Sequence, residues 1–302
     1  MALGTALVTG LGIASCEALS RGVPAARRLV NDVEGCGPDS WTCSDVGTNV
    51  SGEFYSHFRQ RTVGYTVGYP AGHGPGSALP LIVFLHGFRG THWHSLPGYS
   101  PSSAVSTPGV RPMALVTVDG GNGYWHPHPG DDPMGMVMHE LIPMMRRRGL
   151  GTPDLGVATM GISMGGYGAI AFAEHYPSAF RAVAAISPAI FVTYEWVHYV
   201  NPGAYWSAAD FARYDAVTHA AALADTPVRV ASGSHDPFHP WVEEFADRLP
   251  PSDPVVFPPG THTGSFFHTQ IAPSVRFISQ YMSHADKRET HANIRHYVSP
   301  KK

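Results

Sequence analysis

The chain has 302 residues, long enough for one large α/β domain with a substantial core, and it reads as one. Only 14% of the residues are charged and the formal net charge is -3, which leaves neither a nucleic-acid footprint nor an acidic interaction tail. With 33 glycines and 27 prolines, many turns and long connections are expected, and loops of that kind carry function.

Residues 1–20 open with an uncharged apolar run, Met1 to Ser15, too short for a confident spanning helix and similar to the hydrophobic core of a signal sequence without its basic start. Ile13-Ala14-Ser15-Cys16 has the form of a bacterial lipoprotein processing box, with Cys16 as the lipidated residue. Export, or association with a membrane or cell envelope through the N-terminus, would follow. The alternatives stay open: an ordinary amphipathic helix of a cytoplasmic protein, or a start downstream of the true one. Cys36 and Cys43 are spaced either for a small disulfide loop, which suits an exported protein, or for two free thiols.

Residues 21–52 are rich in Gly, Pro, Asp and Ser without sustained periodicity and read as a lead-in to a domain spanning 53–282. Phe58 to Tyr69 alternates as a strand, and Leu79 to Leu85, with its LIVFL core, reads as a fully buried one. Met113 to Val118 is the next strand, and Met134 to Arg147 reads as a helix despite Pro143. Leu155 to Ala173 then reads as strand, glycine-pinched turn and helix. Ala182 to Ile186, Val228 to Ala231 and Val255 to Phe257 complete the strands. Strands alternating with helical connections predict a mostly parallel sheet covered on both faces, an α/β fold. Residues 191–223 interrupt the alternation with Tyr194, Trp196, Tyr199, Tyr205, Trp206, Phe211 and Tyr214. They read as a short cap over an acyl pocket or as surface helices with aromatics turned to the core. Residues 283–302 form a polar, basic tail.

The turn in GISMGGYGA carries the chemistry. Passing from strand to helix at a single residue strains Ser163, and Gly161 and Gly165 supply the neighbours without a Cβ that such a turn needs. In a chain with this much glycine the five-residue pattern alone is weak, and the flanking strand and helix give it weight. A serine hydroxyl becomes nucleophilic only when a base takes its proton, and the base works best oriented by a carboxylate. Asp236 lies in Ser232-Gly-Ser-His-Asp-Pro-Phe238 after a late strand, and His262 in Pro258-Pro-Gly-Thr-His262 after the last. The expected triad is Ser163, Asp236 and His262. Glu243 and Glu244, on the following helix, are weaker candidates for the triad acid, and His268 is a rival for the base. The oxyanion donors are expected to be the backbone N–H groups of Met164 and of Phe88, the latter in His86-Gly-Phe-Arg-Gly90, where His86 reads as structural. The pairs His92 with His94, His126 with His128 and His235 with His239 lack metal-site spacing, so neither metal nor cofactor is expected.

GISMGGYGA, HGFRG, GSHDPF and GTHTGSFF together resemble the α/β-hydrolase superfamily, in the branch that holds esterase D and the mycobacterial mycolyltransferases, over roughly Val63 to Met282. The resemblance implies the same triad and oxyanion donors. It also implies that the loop after the Met113 to Val118 strand borders the substrate, with Asn122, Tyr124 and Trp125 of that loop, and Arg89 of the oxyanion loop, as substrate-facing residues; the loop's bland alternative is a glycine-rich turn with a packing tryptophan. The oxyanion loop departs from the mycolyltransferases, which read closer to Asp-Gly-Leu-Arg. The expected function is a serine carboxylesterase acting on small-molecule or lipid esters through an acyl-enzyme. An acyltransferase using the same triad and a non-catalytic cell-envelope binding protein are the alternatives.

Overall fold

The computed structural model describes residues 47–282. The N-terminal apolar run, Cys16, the Cys36 and Cys43 pair and the tail at 283–302 lie outside them. Among the described residues one sheet holds β1 (Thr48–Ser56), β2 (Arg61–Tyr69), β3 (Leu81–Leu85), β4 (Ala114–Val118), β5 (Val157–Ile162), β6 (Val183–Ile186), β7 (Val228–Ala231) and β8 (Val255–Val256). Their spatial order is β1-β2-β4-β3-β5-β6-β7-β8. β1 pairs with β2, and β2 with β4, antiparallel, and every other pairing is parallel.

The buried LIVFL run of β3 serves both faces of the sheet, because successive side chains point to opposite sides. Leu81, Val83 and Leu85 join the larger core, and Ile82 and Phe84 join the smaller one. The smaller core is closed by α1 (Pro101–Val105) and α8 (Gly264–Tyr281). The larger is closed by α2 (133–147), α3 (Met164–His175) and α7 (His239–Ala246). Helix α2 runs through Pro133–Met136, a π turn at Val137–Leu141, and Ile142–Arg147. The widened turn lies just before Pro143, whose ring and missing N–H are incompatible with a regular α turn over His139.

β1 begins at Thr48, within the stretch read as lead-in. Its burial alternates without a fully apolar face, as suits an edge strand, so apolar periodicity did not announce it. Residues 191–223 form α4 (Tyr194–Val200), α5 (Ala208–Arg213), α6 (Ala216–His219) and a 3-10 turn (Ala220–Leu223), with Thr193, Ser207 and Asp215 capping the three helices. Their aromatics divide between the two readings: Phe191, Tyr205, Phe211 and Tyr214 are buried, while Trp196, Tyr199 and Trp206 are exposed. No helix among the described residues is long and apolar enough to cross a membrane.

Candidate active site

Parallel strands deliver their carboxyl ends, and the loops after them, to one edge of the sheet, where open α/β folds place their ligands. Ser163 sits there between the last residue of β5 and the first of α3, at φ 54° and ψ -123°. That backbone is costly for a residue with a Cβ and is held by its surroundings. The Ser163 N–H donates to Ile186 O of β6 at 2.9 Å, and its carbonyl accepts from Tyr167 and Ala189 at 3.0 Å each. A Cβ on Gly161 would strike the Gly165 carbonyl, and one on Gly165 would strike that of Leu85, so both glycines are required by close backbone approach.

The three residues expected to form a triad are brought together in one line. Ser163 Oγ lies 2.8 Å from His262 Nε2, and His262 Nδ1 lies 2.8 Å from Asp236 Oδ2. All three side chains are buried. The loops bearing Asp236 and His262 are sewn together, with Ser234 N–H donating to Pro258 O and His235 N–H to Gly260 O, each at 2.9 Å. The other oxygen of Asp236 accepts the Phe238 N–H at 2.9 Å. Burial pushes the Asp236 carboxyl up, but the His262 ring and the hydrogen bonds outweigh it and hold the group below its ordinary value. His262 is wedged between Phe238 and Phe267, each 5.0 Å away between ring centroids. His268 is elsewhere: its ring bonds Pro97 O at 3.1 Å and stacks on Tyr99. Glu243 and Glu244 lie on α7, where Glu243 faces His239 and Glu244 faces Arg248.

The loop after β3 abuts the nucleophile, since a Cβ on Gly87 would lie 3.4 Å from Ser163 Cβ. The N–H of Phe88, in this loop, and that of Met164, the first of α3, make no hydrogen bond to protein among the described residues. Arg89 adopts φ 61°, and its N–H donates to Asn122 Oδ1 at 2.7 Å. Its guanidinium lies over the Phe88 ring, 5.6 Å from the centroid. Of the four residues expected to face substrate, Arg89 and Asn122 are exposed beside the site. Tyr124 and Trp125 are not. Tyr124 is buried among Tyr167, Phe191 and Tyr205, and Trp125 is fully buried edge-on to Phe172, donating its indole N–H to His86 O at 3.1 Å. Trp125 is therefore a packing residue under α3, the bland alternative for this loop.

Sequence reading placed Trp196 in a possible cap but missed Phe238 and Trp241, which carry its aromatic contacts to His262. Phe238 touches Phe191 and Trp241, with centroids 5.2 Å and 6.0 Å away, and Trp241 leads on to the exposed Trp196 at 6.1 Å. The available signal was the apolar spacing of Phe238, Trp241, Val242 and Phe245 along α7. The histidine pairs serve local structure. His92 bonds Asp119 at 2.8 Å; His126 bonds Ala204 O at 2.7 Å and stacks between Tyr205 and Tyr214, and burial lowers it to about 4. No cluster of three or more His, Cys, Asp or Glu suited to a metal occurs among the described residues.

The family model described as "Putative esterase" matches residues 56–248. No curated protein sequence matches the chain. Among solved structures, a ferulic acid esterase is 17% identical, with a TM-score of 0.67, covering 79% of this chain and 100% of its own. An S-formylglutathione hydrolase from Agrobacterium tumefaciens is 18% identical, with a TM-score of 0.63, covering 80% and 98%. MPT51 of Mycobacterium tuberculosis is 17% identical, with a TM-score of 0.58, covering 76% and 99%. At these identities the structures establish the fold, while the family match spans well over half of the chain: it belongs to the esterase family and has the α/β-hydrolase fold.

Proposed function

We propose that the chain is a serine carboxylesterase that works through an acyl-enzyme on Ser163. The observation that carries this reading is the unbroken line from Ser163 Oγ through His262 to Asp236, two hydrogen bonds of 2.8 Å each. Asp236 accepts from Nδ1, which leaves His262 Nε2 free to take the serine proton as the hydroxyl oxygen attacks the ester carbonyl. The carbonyl oxygen gains negative charge, and the N–H groups of Phe88 and Met164 are the donors that receive it. His262 then gives its proton to the departing alcohol, and water, activated by the same imidazole, releases the acid. The wall of Phe238, Trp241 and Trp196 beside His262 favours an ester with an apolar or aromatic portion.

Mixing the purified protein with p-nitrophenyl esters tests the reading. A burst of nitrophenolate close to one equivalent, or steady turnover, is expected. Ser163→Ala should lower kcat by at least about 10⁴-fold while leaving the fold intact. A wild-type protein that neither turns over esters nor labels with a fluorophosphonate sinks the proposal, and full activity in Ser163→Ala sinks the assignment of the nucleophile. Repeating the assay with sugar or glycerol acceptors, and analysing the products, separates hydrolysis from acyl transfer.

A further inference from the structure

A head-to-tail series of hydrogen bonds runs from the β1–β2 turn into the loop beside Ser163. It begins at Arg59, almost wholly buried, whose Nη1 donates to Asp119 O at 2.6 Å. The N–H on the far side of that same peptide, Gly120 N–H, donates to His86 Nε2 at 2.9 Å. An imidazole nitrogen that accepts is unprotonated, so the proton of the neutral ring sits on Nδ1, and Nδ1 lies 2.7 Å from Gly87 O. The N–H on the far side of the Gly87 peptide belongs to Phe88. In a trans peptide the carbonyl and the N–H point in opposite directions, so whatever grips the carbonyl also aims the N–H.

We propose that His86 is a positioning residue for the oxyanion site: as the Nδ1–H tautomer it grips the Gly87 carbonyl, turns the Phe88 N–H toward the reacting carbonyl, and ties that peptide to the buried cation Arg59. The inference rests on the reading of Phe88 N–H as an oxyanion donor. Every bond in the series runs donor to acceptor in one direction, from guanidinium to imidazole to Phe88, so each polarises the next in the sense that strengthens Phe88 N–H as a donor. Arg59 is held in place by both oxygens of Asp131, at 2.6 Å and 2.9 Å, and Arg61 shares that carboxylate at 3.3 Å. The Gly90 N–H also donates to Gly87 O, at 3.0 Å, and closes the turn, while Asn122 holds Arg89 N–H from the other side. The ring of His86 packs on Trp125, 4.9 Å between centroids, and a Cβ on Gly90 would collide with it. Burial lowers His86 to about 4, so the ring stays neutral above that pH and keeps Nε2 as an acceptor.

Two measurements test the proposal. In the wild-type protein, long-range proton–nitrogen correlation spectra should show His86 as the neutral Nδ1–H tautomer; the Nε2–H tautomer overturns it. In kinetics with p-nitrophenyl acetate, His86→Leu should lower kcat about 10²-fold with KM changed less than about threefold, and weaken a trifluoromethyl ketone inhibitor, which forms a bound oxyanion, by a similar factor. His86→Asn, whose amide can replace the Nδ1 donor, should recover at least a tenth of wild-type kcat. A folded His86→Leu protein with unchanged kcat, or with its loss entirely in KM, overturns the inference. Absence of turnover in the wild type would instead count against the esterase reading, and the tautomer measurement would still decide whether His86 grips Gly87.

Discussion

Asp236 is the residue whose chemistry depends least on anything but its immediate partners. In the proposed triad its Oδ2, 2.8 Å from His262 Nδ1, fixes the ring proton there, and the Phe238 N–H holds its other oxygen. Asp236→Asn keeps the shape but offers an amide N–H to Nδ1, which favours the tautomer with its proton on Nε2, where no serine proton can be received. We therefore expect kcat to fall about 10⁴-fold, the size seen for the same change in a serine protease triad, with KM within a few-fold of wild type. Steady-state kinetics on a short p-nitrophenyl ester checks this, and a loss confined to KM would remove Asp236 from the triad. At this scale the sequence was informative because Ser163 directly follows β5, and Asp236 and His262 lie in the short loops after β7 and β8. Trp125 stayed between two readings because its neighbours in sequence are loop residues, while its neighbours in space are those of α3. His86 could be read as structural, but its grip on Gly87 O is a matter of ring orientation that no spacing encodes.

Helix α3 shows how an element is shaped for the site it serves. Its residues are buried almost throughout, because it lies between the sheet and the cap, so it lacks the polar face of a surface helix. Gly165 is required where the first turn passes the end of β3, since a Cβ there would strike the Leu85 carbonyl. Gly165→Ala should cost about 3 kcal/mol or more, because a backbone carbonyl cannot rotate aside as a side chain can. Urea denaturation would measure that loss, and a variant within about 0.5 kcal/mol of wild type would show that the elbow is looser than its geometry implies. Buried strands such as β3 were legible as continuous apolar runs. β1 was not, since an edge strand shows neither a continuous run nor a clean apolar face, and pairing with β2 is what orders it.

For the molecule as a whole, stability should depend on pH through Glu174. This carboxyl lies in the last turn of α3, buried, with no hydrogen-bond partner for either oxygen among the described residues. Burial first, and the charge of Asp215 second, raise its pKa well above the ordinary value. The unfolded chain releases this proton near an ordinary glutamate pKa of about 4.3 and the folded chain only at higher pH, so the folded state binds more protons in between. Stability therefore falls as pH rises from that unfolded value toward the folded one, by at most about 1.4 kcal/mol per pH unit. Glu174→Gln cannot ionise and should abolish the slope. We expect it to match wild type near pH 4 and to be the more stable of the two at pH 8, measured by urea unfolding. Parallel stability curves across that range would rule out a neutral buried carboxyl.

The sequence by itself determined the fold class and pointed to the candidate triad in its order. Apolar periodicity and glycine-bounded turns are local properties, and a parallel sheet sends every strand's following loop to the same edge. Only the tertiary structure decided what those loops do to one another. It buried Trp125, sent His268 to Pro97, assembled the wall of Phe238, Trp241 and Trp196, and joined Arg59 through His86 to Phe88. The physical reason is that these are contacts between segments far apart in the chain, set by side-chain packing and by the direction of individual peptide groups, and neither leaves a periodic trace in the order of residues.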